Sequence, residues 1–348
     1  MKNLLSFMKN LPFKFGKATP RESFSVGIDI GSVAIKAVKL KLFEEKAEIV
    51  DIKIEPFALD SAAVLKNIAQ SMQAKKINFS ISGPSSIIRY VDFPKMNPGE
   101  LQSAMKFEAQ KHIPFTLTEV NLDSYILKAD SPDNKMLVLL AAVKKDLVSA
   151  RMKLAQEAGL SINLIDNDSL AMVNAFCFNY SCDTKEEQKT IALLNIGALN
   201  SNLNILEAGL PRFSRDIHIA GNNFTQKIAD LLGVDFKAAE ILKINPEAQN
   251  QAKVSLAIDS VLSRLVTETR SSFDYYETQS ASSVTKIFLS GGSSLAIGIK
   301  EKLATLLGVE VEYWDPLKQI TVAGSLDAQA IKKSSNQLCV AIGLALRK

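Results

Sequence analysis

From Val26 to Leu40, and again from Lys46 to Glu55, apolar and polar residues alternate with the period of two that half-buried strands require. The segment Leu42–Lys46 reads as the turn between them. Asp60–Ala74 changes to helical spacing through Ala63, Leu65, Ile68, Ala69 and Met72, and Ile77–Gly83 and Ser86–Pro94 return to strand character. Pro98–His112 predicts a helix that Ile113 and Pro114 end. Val120–Asp130 and Met136–Asp146 predict a hairpin around Ser131–Lys135; a helix over Leu147–Gly159 follows, then a strand passing into a helix over Ser161–Phe178. At Lys189 the pattern starts over. Thr190–Gly221 repeats the opening hairpin, Asn222–Thr278 is mainly helical, Val284–Gly292 and Val309–Pro316 are strand-like, and Cys339–Lys348 is helical.

Strands alternating with helices in two halves that share an opening hairpin predict a duplicated α/β fold. The 348 residues also exceed one ordinary core. A composition 47% hydrophobic and 22% charged is that of a soluble globular protein. The purely apolar run Met136–Val143 is far short of the ~20 residues of a membrane helix, so it reads as a buried strand. Three cysteines (Cys177, Cys182, Cys339) and two histidines (His112, His218), scattered along the chain, support neither a zinc site nor a disulfide framework. They fit a reducing compartment.

Charge is uneven. Of 41 basic and 37 acidic residues, Lys2, Lys9, Lys14, Lys17, Arg21 and the single acid Glu22 lie in residues 1–23, leaving 36 of each sign in the rest. A neutral body argues against a nucleic-acid partner, which needs a basic face on the fold. In the tail, Leu4, Leu5, Met8 and Leu11 share helical spacing until Pro12 stops it, and the stretch from there to Ser23 is a linker. Two readings stay open: a short basic segment resting on an anionic membrane surface, or a leader with no role.

The candidate chemistry lies in the repeated hairpin. A strand ending in Asp-x-Gly brings backbone N–H groups close to an anion, while the carboxylate holds a metal through water. Gly27, Asp29, Gly31 and Ser32 supply this, with Lys36 on the returning strand as an added positive charge. In the second copy Asn195 replaces the aspartate, followed by Gly197, Ala198, Asn200 and Ser201. Two such hairpins, one per lobe, would hold a nucleotide's phosphates. A third turn, Gly291, Gly292, Ser293 and Ser294 after a hydrophobic strand, allows close backbone approach to a nucleoside or caps the next helix. Neither a P-loop nor a dinucleotide fingerprint occurs. The histidines lack nucleophile partners, Asp166 with Asp168 makes no convincing metal pair, and Glu44 and Glu45 belong to a turn.

"GIDIGSVAIKAV", "LLNIGALNSNLNI", "FLSGGSSL" and "AIGLALR" resemble the two phosphate loops, adenosine motif and second connecting helix of the actin-like ATPase superfamily. "RYVDFPKMNPGELQSAMKFEAQKHIPF" and "FSRDIHIAGNNFTQKIADLLGVDFKAAEILK" resemble one branch, the PilM family of type IV pilus assembly, related to the division protein FtsA. The resemblance implies ATP with Mg2+. Asp29, Gly31, Ser32 and Lys36 match the first phosphate loop, with Asp29 near the metal; Gly197 and Ala198 match the second. Glu240 and Lys243 match the pair flanking ribose and adenine, Gly291, Gly292 and Ser293 the adenosine turn, and Asp168 the residue facing the attacking water. Read on their own, Asp168 could cap its helix, and Glu240 with Lys243 could be a surface i,i+3 pair.

The fold class expected is a two-lobe actin-like (ribonuclease H-like) duplication with an inserted α+β subdomain. The expected map is a tail over 1–23, a first lobe over 24–90, the insert over 91–159, the connecting helix over 160–188, and a second lobe over 189–348 whose helical part spans about 222–283. The resemblance further implies a cytoplasmic protein at a bacterial inner membrane that holds the N-terminal peptide of a PilN-like protein beside residues 91–159, among other platform proteins. Self-association is left open. Competing readings are an FtsA-like filament scaffold, whose amphipathic anchor would be C-terminal, a type II secretion platform protein, which continues into a membrane helix, and a sugar kinase, which needs a catalytic aspartate at a sugar cleft. Superfamily members often carry aspartate where Asn195 stands, so losing that charge should leave nucleotide bound but its hydrolysis slow or absent.

Deleting residues 1–23 should weaken sedimentation with anionic liposomes without changing the circular dichroism of the body. Equal sedimentation would remove the lipid-binding reading of the tail.

Overall fold

The computed structural model describes residues 22–43, 46–180 and 189–347. Met1–Arg21, and with them nearly all of the basic tail, lie outside the described residues, as do Glu44 and Glu45. The chain forms two compact units: residues 1–180, 316–328 and 340–348, and residues 181–315 and 329–339.

In the first unit, β1 (Ser23–Ile30), β2 (Ala34–Phe43) and β3 (Lys46–Pro56) form an antiparallel meander, and β4 (Lys76–Ile81) joins β1 in parallel. Between β3 and β4 runs α1 (Ser61–Ser71), which starts where the Asp60 carboxylate accepts from Ala63 N at 2.9 Å. Its Leu65, Ile68 and Ala69 bury against Val26 and Ile28 of β1.

A separate antiparallel sheet follows, built from β5 (Ser86–Pro94), β6 (Val120–Ser131) and β7 (Lys135–Lys144) in the order β5-β7-β6. Strand β7 is central and buried on both faces. Met136, Val138, Leu140 and Ala142 pack beneath α2 (Pro98–His112), while Leu139, Ala141 and Val143 face Ile81, Ile165 and Leu170. Burial on both faces is why the run Met136–Val143 shows no period of two. The start of α2 is set by a capping box: Asn97 Oδ1 accepts from Glu100 N and Glu100 Oε2 from Asn97 N, each at 2.9 Å. Then come α3 (Lys145–Glu157), β8 (Ser161–Asn167) and α4 (Asp168–Tyr180).

The second unit repeats the plan. Its strands β9 (Thr190–Ile196), β10 (Ser201–Glu207) and β11 (Leu210–Ile217) form the meander. The helices α5 (Gly221–Leu232), α6 (Phe236–Ile244) and α7 (Gln251–Gln279) precede β12 (Val284–Ser290), which pairs in parallel with β9. After α8 (Ile299–Leu307), β13 (Glu310–Tyr313) completes the order β11-β10-β9-β12-β13. The first unit's main sheet reads β14-β3-β2-β1-β4-β8, where β14 (Ile320–Val322) is an added edge strand. Apart from that edge, the two orders are the same, so the duplication expected from the repeated hairpin is present. The chain closes through α9 (Ala328–Ser334) and α10 (Cys339–Ala345). Among the described residues no helix is long and apolar enough to cross a membrane.

The end of α10 is latched to the first unit's sheet by polar side chains that are buried or half-buried. Ser25 Oγ donates to Arg347 O at 3.0 Å, and Asn78 Nδ2 donates to Leu344 O at 2.8 Å. Arg347 Nε donates to Asp166 Oδ2 at 2.7 Å, and both partners are buried. Asp166 is therefore a structural acid. Where α10 crosses α4, a Cβ on Gly343 would sit 1.8 Å from Ala171 O, so the backbones meet as only glycine permits.

Candidate functional site

The first hairpin fixes one charged pair. Asp29 and Lys36 are direct cross-strand partners, with Lys36 Nζ 2.7 Å from Asp29 Oδ2. The four-residue turn closes through Gly31 N donating to Ala34 O at 3.0 Å. A Cβ at Gly31 would meet Ala34 O at 2.9 Å and Lys36 Nζ at 3.2 Å, so the turn excludes a side chain there. Ser32 stands exposed at its tip. Asp29 is 7% exposed, and its Oδ1 accepts no hydrogen bond among the described residues. The described protein groups thus engage one carboxylate oxygen of Asp29, Oδ2. Gly27 serves a different end: its Cβ would lie 2.2 Å from Ala341 O, so α10 demands a glycine there.

The second hairpin copies this geometry with its charges removed. A constant offset of 166 positions takes Asp29 to Asn195, Gly31 to Gly197, Ala34 to Asn200 and Lys36 to Asn202. Gly197 N donates to Asn200 O at 3.1 Å, closing the same turn. Asn195 and Asn202 are again direct partners, and Asn195 Nδ2 donates to Asn202 Oδ1 at 3.2 Å. Both members of the ion pair have become amides. The chain continues: Asn202 Nδ2 donates to Asp216 Oδ1 at 2.6 Å, and Ser290 Oγ donates to Asn195 Oδ1 at 3.3 Å. Asn195 is therefore engaged at both ends of its amide. Neither Asn202 nor Asp216 was picked out from the sequence, because their importance lies in cross-strand register.

Three backbone turns converge in the second unit. Gly221 N donates to Gly197 O at 3.0 Å and Asn222 N to Ala198 O at 2.8 Å, pressing the start of α5 against the hairpin turn. A Cβ on Gly221 would lie 1.9 Å from Ser293 Oγ. Gly291 has φ +93°, and its Cβ would lie 2.3 Å from Ile196 O. Gly197, Ala198, Gly291 and Ser293 are thus brought together, with Gly221 as an unforeseen fifth member; Gly292 continues the same turn beside Gln337. Glu240 is exposed as its spacing allowed, but Lys243 is not a surface residue. Lys243 is 1% exposed; its Nζ reaches both Glu240 oxygens at 2.7 Å and Thr225 Oγ1 at 3.0 Å. Burial pushes its pKa down, against the pull of Glu240.

In the first unit Asp168 opens α4, but the helix is capped by its neighbour, since Asn167 Oδ1 accepts from Ser169 N at 2.8 Å. The Asp168 carboxylate instead shares a field with Arg151 of α3. Burial pushes the Arg151 pKa down, and Asp168 and then Asp29 pull it back up. No group of three His, Cys, Asp or Glu side chains gathers among the described residues.

Two matching sheets that each open on a glycine-turned hairpin define the actin-like ATPase fold. Residues 27–348 match the family described as type IV pilus assembly protein PilM, and the chain belongs to that family. A solved structure described as the PilM–PilN type IV pilus biogenesis complex is 25% identical, with a TM-score of 0.80 over 93% of this chain and 98% of that one. The ethanolamine utilization protein EutJ from Carboxydothermus hydrogenoformans is 12% identical, with a TM-score of 0.54 over 94% of this chain and 90% of that one. MreB5 of Spiroplasma citri bound to AMPPNP is also 12% identical, with a TM-score of 0.53 over 93% and 95%. The last two share the fold alone. The family match favours neither the division-scaffold nor the sugar-kinase reading.

Asn195→Asp should be destabilising, because it removes the donor to Asn202 and brings a second carboxylate toward Asp216. Chemical denaturation should show a loss of about 1–3 kcal/mol, the cost of an unsatisfied buried polar group. An unchanged midpoint and slope would mean that the amide chain holds nothing in place.

Proposed function

We propose that this protein is an ATP-binding component of type IV pilus assembly that also captures a PilN-like partner, acting at the cytoplasmic face of a bacterial inner membrane. The observation carrying the nucleotide reading is the register-matched pair of hairpins, each with a glycine turn whose backbone excludes a side chain. Asp29 would hold Mg2+ through a water on Oδ1, while Lys36 keeps Oδ2 occupied and fixes the carboxylate's orientation. Bound there, Mg2+ would neutralise phosphate charge. In the first unit, Ser32 and the Gly31 turn are the proposed phosphate contacts. In the second, Gly197 and Ala198 are proposed for phosphate, Gly291, Gly292 and Ser293 for the nucleoside, and Glu240 and Lys243 for the flank of that turn. Asp168 is proposed to face the attacking water.

Charge distribution decides the expected turnover. The second hairpin offers amide hydrogen bonds where the first offers a carboxylate and an ammonium. With one carboxylate for the metal, nucleotide would bind while water is weakly activated. A deficit of ~3 kcal/mol in the transition state slows hydrolysis more than a hundredfold. The protein would then respond to occupancy more than to turnover.

The partner reading is supported by the likeness to the PilM–PilN complex. The PilN-like N-terminal peptide is proposed to lie beside residues 91–159, where α2 covers the three-stranded sheet and Phe107 is 78% exposed on the helix's outer side.

Calorimetry with Mg-ATP should give a binding heat for wild type that Asp29→Ala weakens at least tenfold, and a synthetic PilN-like N-terminal peptide should bind the same preparation. No heat and no thermal shift at millimolar nucleotide would contradict the nucleotide reading. Rapid single-turnover hydrolysis would contradict the occupancy reading, and an unbound peptide would contradict the partner reading.

A further inference from the structure

Helix α3 carries a charge on its core-facing side. Val148 and Ala155 are buried against the main body of the first unit, and Arg151 shares their face at the i, i+3, i+7 spacing. Its Nε is buried and has no hydrogen-bond partner among the described residues. Guanidinium groups are rarely placed this way unless paired, because a desolvated donor left unmade is costly. The adjacent acids do not relieve it. Asp168 and Asp29 both act on the charge of Arg151, yet neither accepts a hydrogen bond from its Nε, and Asp29 gives an oxygen to Lys36. The two acids mark the place: Asp29 lies near the carboxyl end of β1, and Asp168 immediately follows that of β8. In open α/β sheets that edge is where ligands bind.

We propose that Arg151 is a phosphate-binding residue, whose orphaned Nε–H on the core-facing side of α3 is satisfied by an oxyanion of the nucleotide's phosphate chain at the carboxyl ends of β1 and β8. This rests on the nucleotide-binding reading above and adds a cation that no sequence motif marks. Guanidinium suits the role because it stays charged and offers donors in a planar fork that matches phosphate oxygens. Lys36, the other cation beside Asp29, is already committed to that carboxylate, so Arg151 supplies the charge that the bound anion meets.

The test uses the full chain as wild type, Arg151→Met and Arg151→Lys. Affinities for Mg-ATP and Mg-ADP are measured by calorimetry, and melting temperatures without nucleotide. Arg151→Met should lose about tenfold or more in ATP affinity, the contribution of one charge-assisted hydrogen bond, with Arg151→Lys between it and wild type. Its melting temperature without nucleotide should stay level or rise, because an unpartnered buried donor has been removed. Wild-type ATP binding with unchanged affinity in Arg151→Met overturns this inference alone. A lower melting temperature for Arg151→Met that Arg151→Lys restores, with ATP affinity equal in all three, makes Arg151 a structural cation and likewise overturns it. A wild type that binds neither nucleotide overturns both this inference and the reading on which it rests.

Discussion

The cross-strand register of the hairpins is the constraint from which the rest of the site follows. A four-residue turn closed by glycine leaves no slack: Gly31 bonded to Ala34 places Asp29 opposite Lys36, and Gly197 bonded to Asn200 places Asn195 opposite Asn202. A slip of one residue would turn these side chains to the other face of the sheet and bring Val26 and Ile28 out of the core. The apolar packing against α1 and α3 therefore holds the first pair in place, and packing against α5 and α7 the second. The first pair is an ion pair with both side chains largely buried, so removing either partner strands the other charge at a cost of about 3–5 kcal/mol. The second pair has no charge to strand. It depends on donor matching acceptor from Ser290 through Asn195 and Asn202 to Asp216.

That contrast changes how Asn195 is understood. Taken alone, it reads as a missing carboxylate that one substitution could restore. In the sheet it is half of a coordinated replacement, since its partner changed from lysine to asparagine as well. Restoring the acid alone places it against an acceptor. The glycines divide in the same spirit. Gly31 and Gly197 make the turns, Gly221 and Gly291 let other backbones close on the second hairpin, and Gly27 and Gly343 serve the packing of α10. Sequence shows all six as similar small residues; only the contacts tell binding geometry from helix packing.

The fold class, the duplication and the central hairpins were legible because each rests on local patterning: alternation, helical spacing and repeated Asp/Asn-x-Gly turns. The strand β14 escaped because its three residues pair with Ala47–Ile49, far away in the chain, and so short a segment carries no period of its own. Helices α8 and α9, of nine and seven residues, are too short to carry a strong helical period of their own. Lys243 looked like a surface residue because an i,i+3 acid is a common helical pairing, and its burial depends on Thr225 in another helix. Arg151 lay unnoticed in an ordinary amphipathic helix, where a basic residue is expected to face solvent. In each case the missing information was a tertiary neighbour.

The account stands or falls on the two hairpins being one design in a charged and a neutral version. A double-mutant cycle moving the first pair into the second hairpin tests this directly, with unfolding free energies measured for Asn195→Asp, Asn202→Lys and the double variant. If the register carries the pairing, each single change destabilises and the double recovers much of the loss, giving a favourable coupling of about 1 kcal/mol or more. Losses that add to within about 0.5 kcal/mol would contradict it, because residues in contact on matched strands do not behave as independent sites.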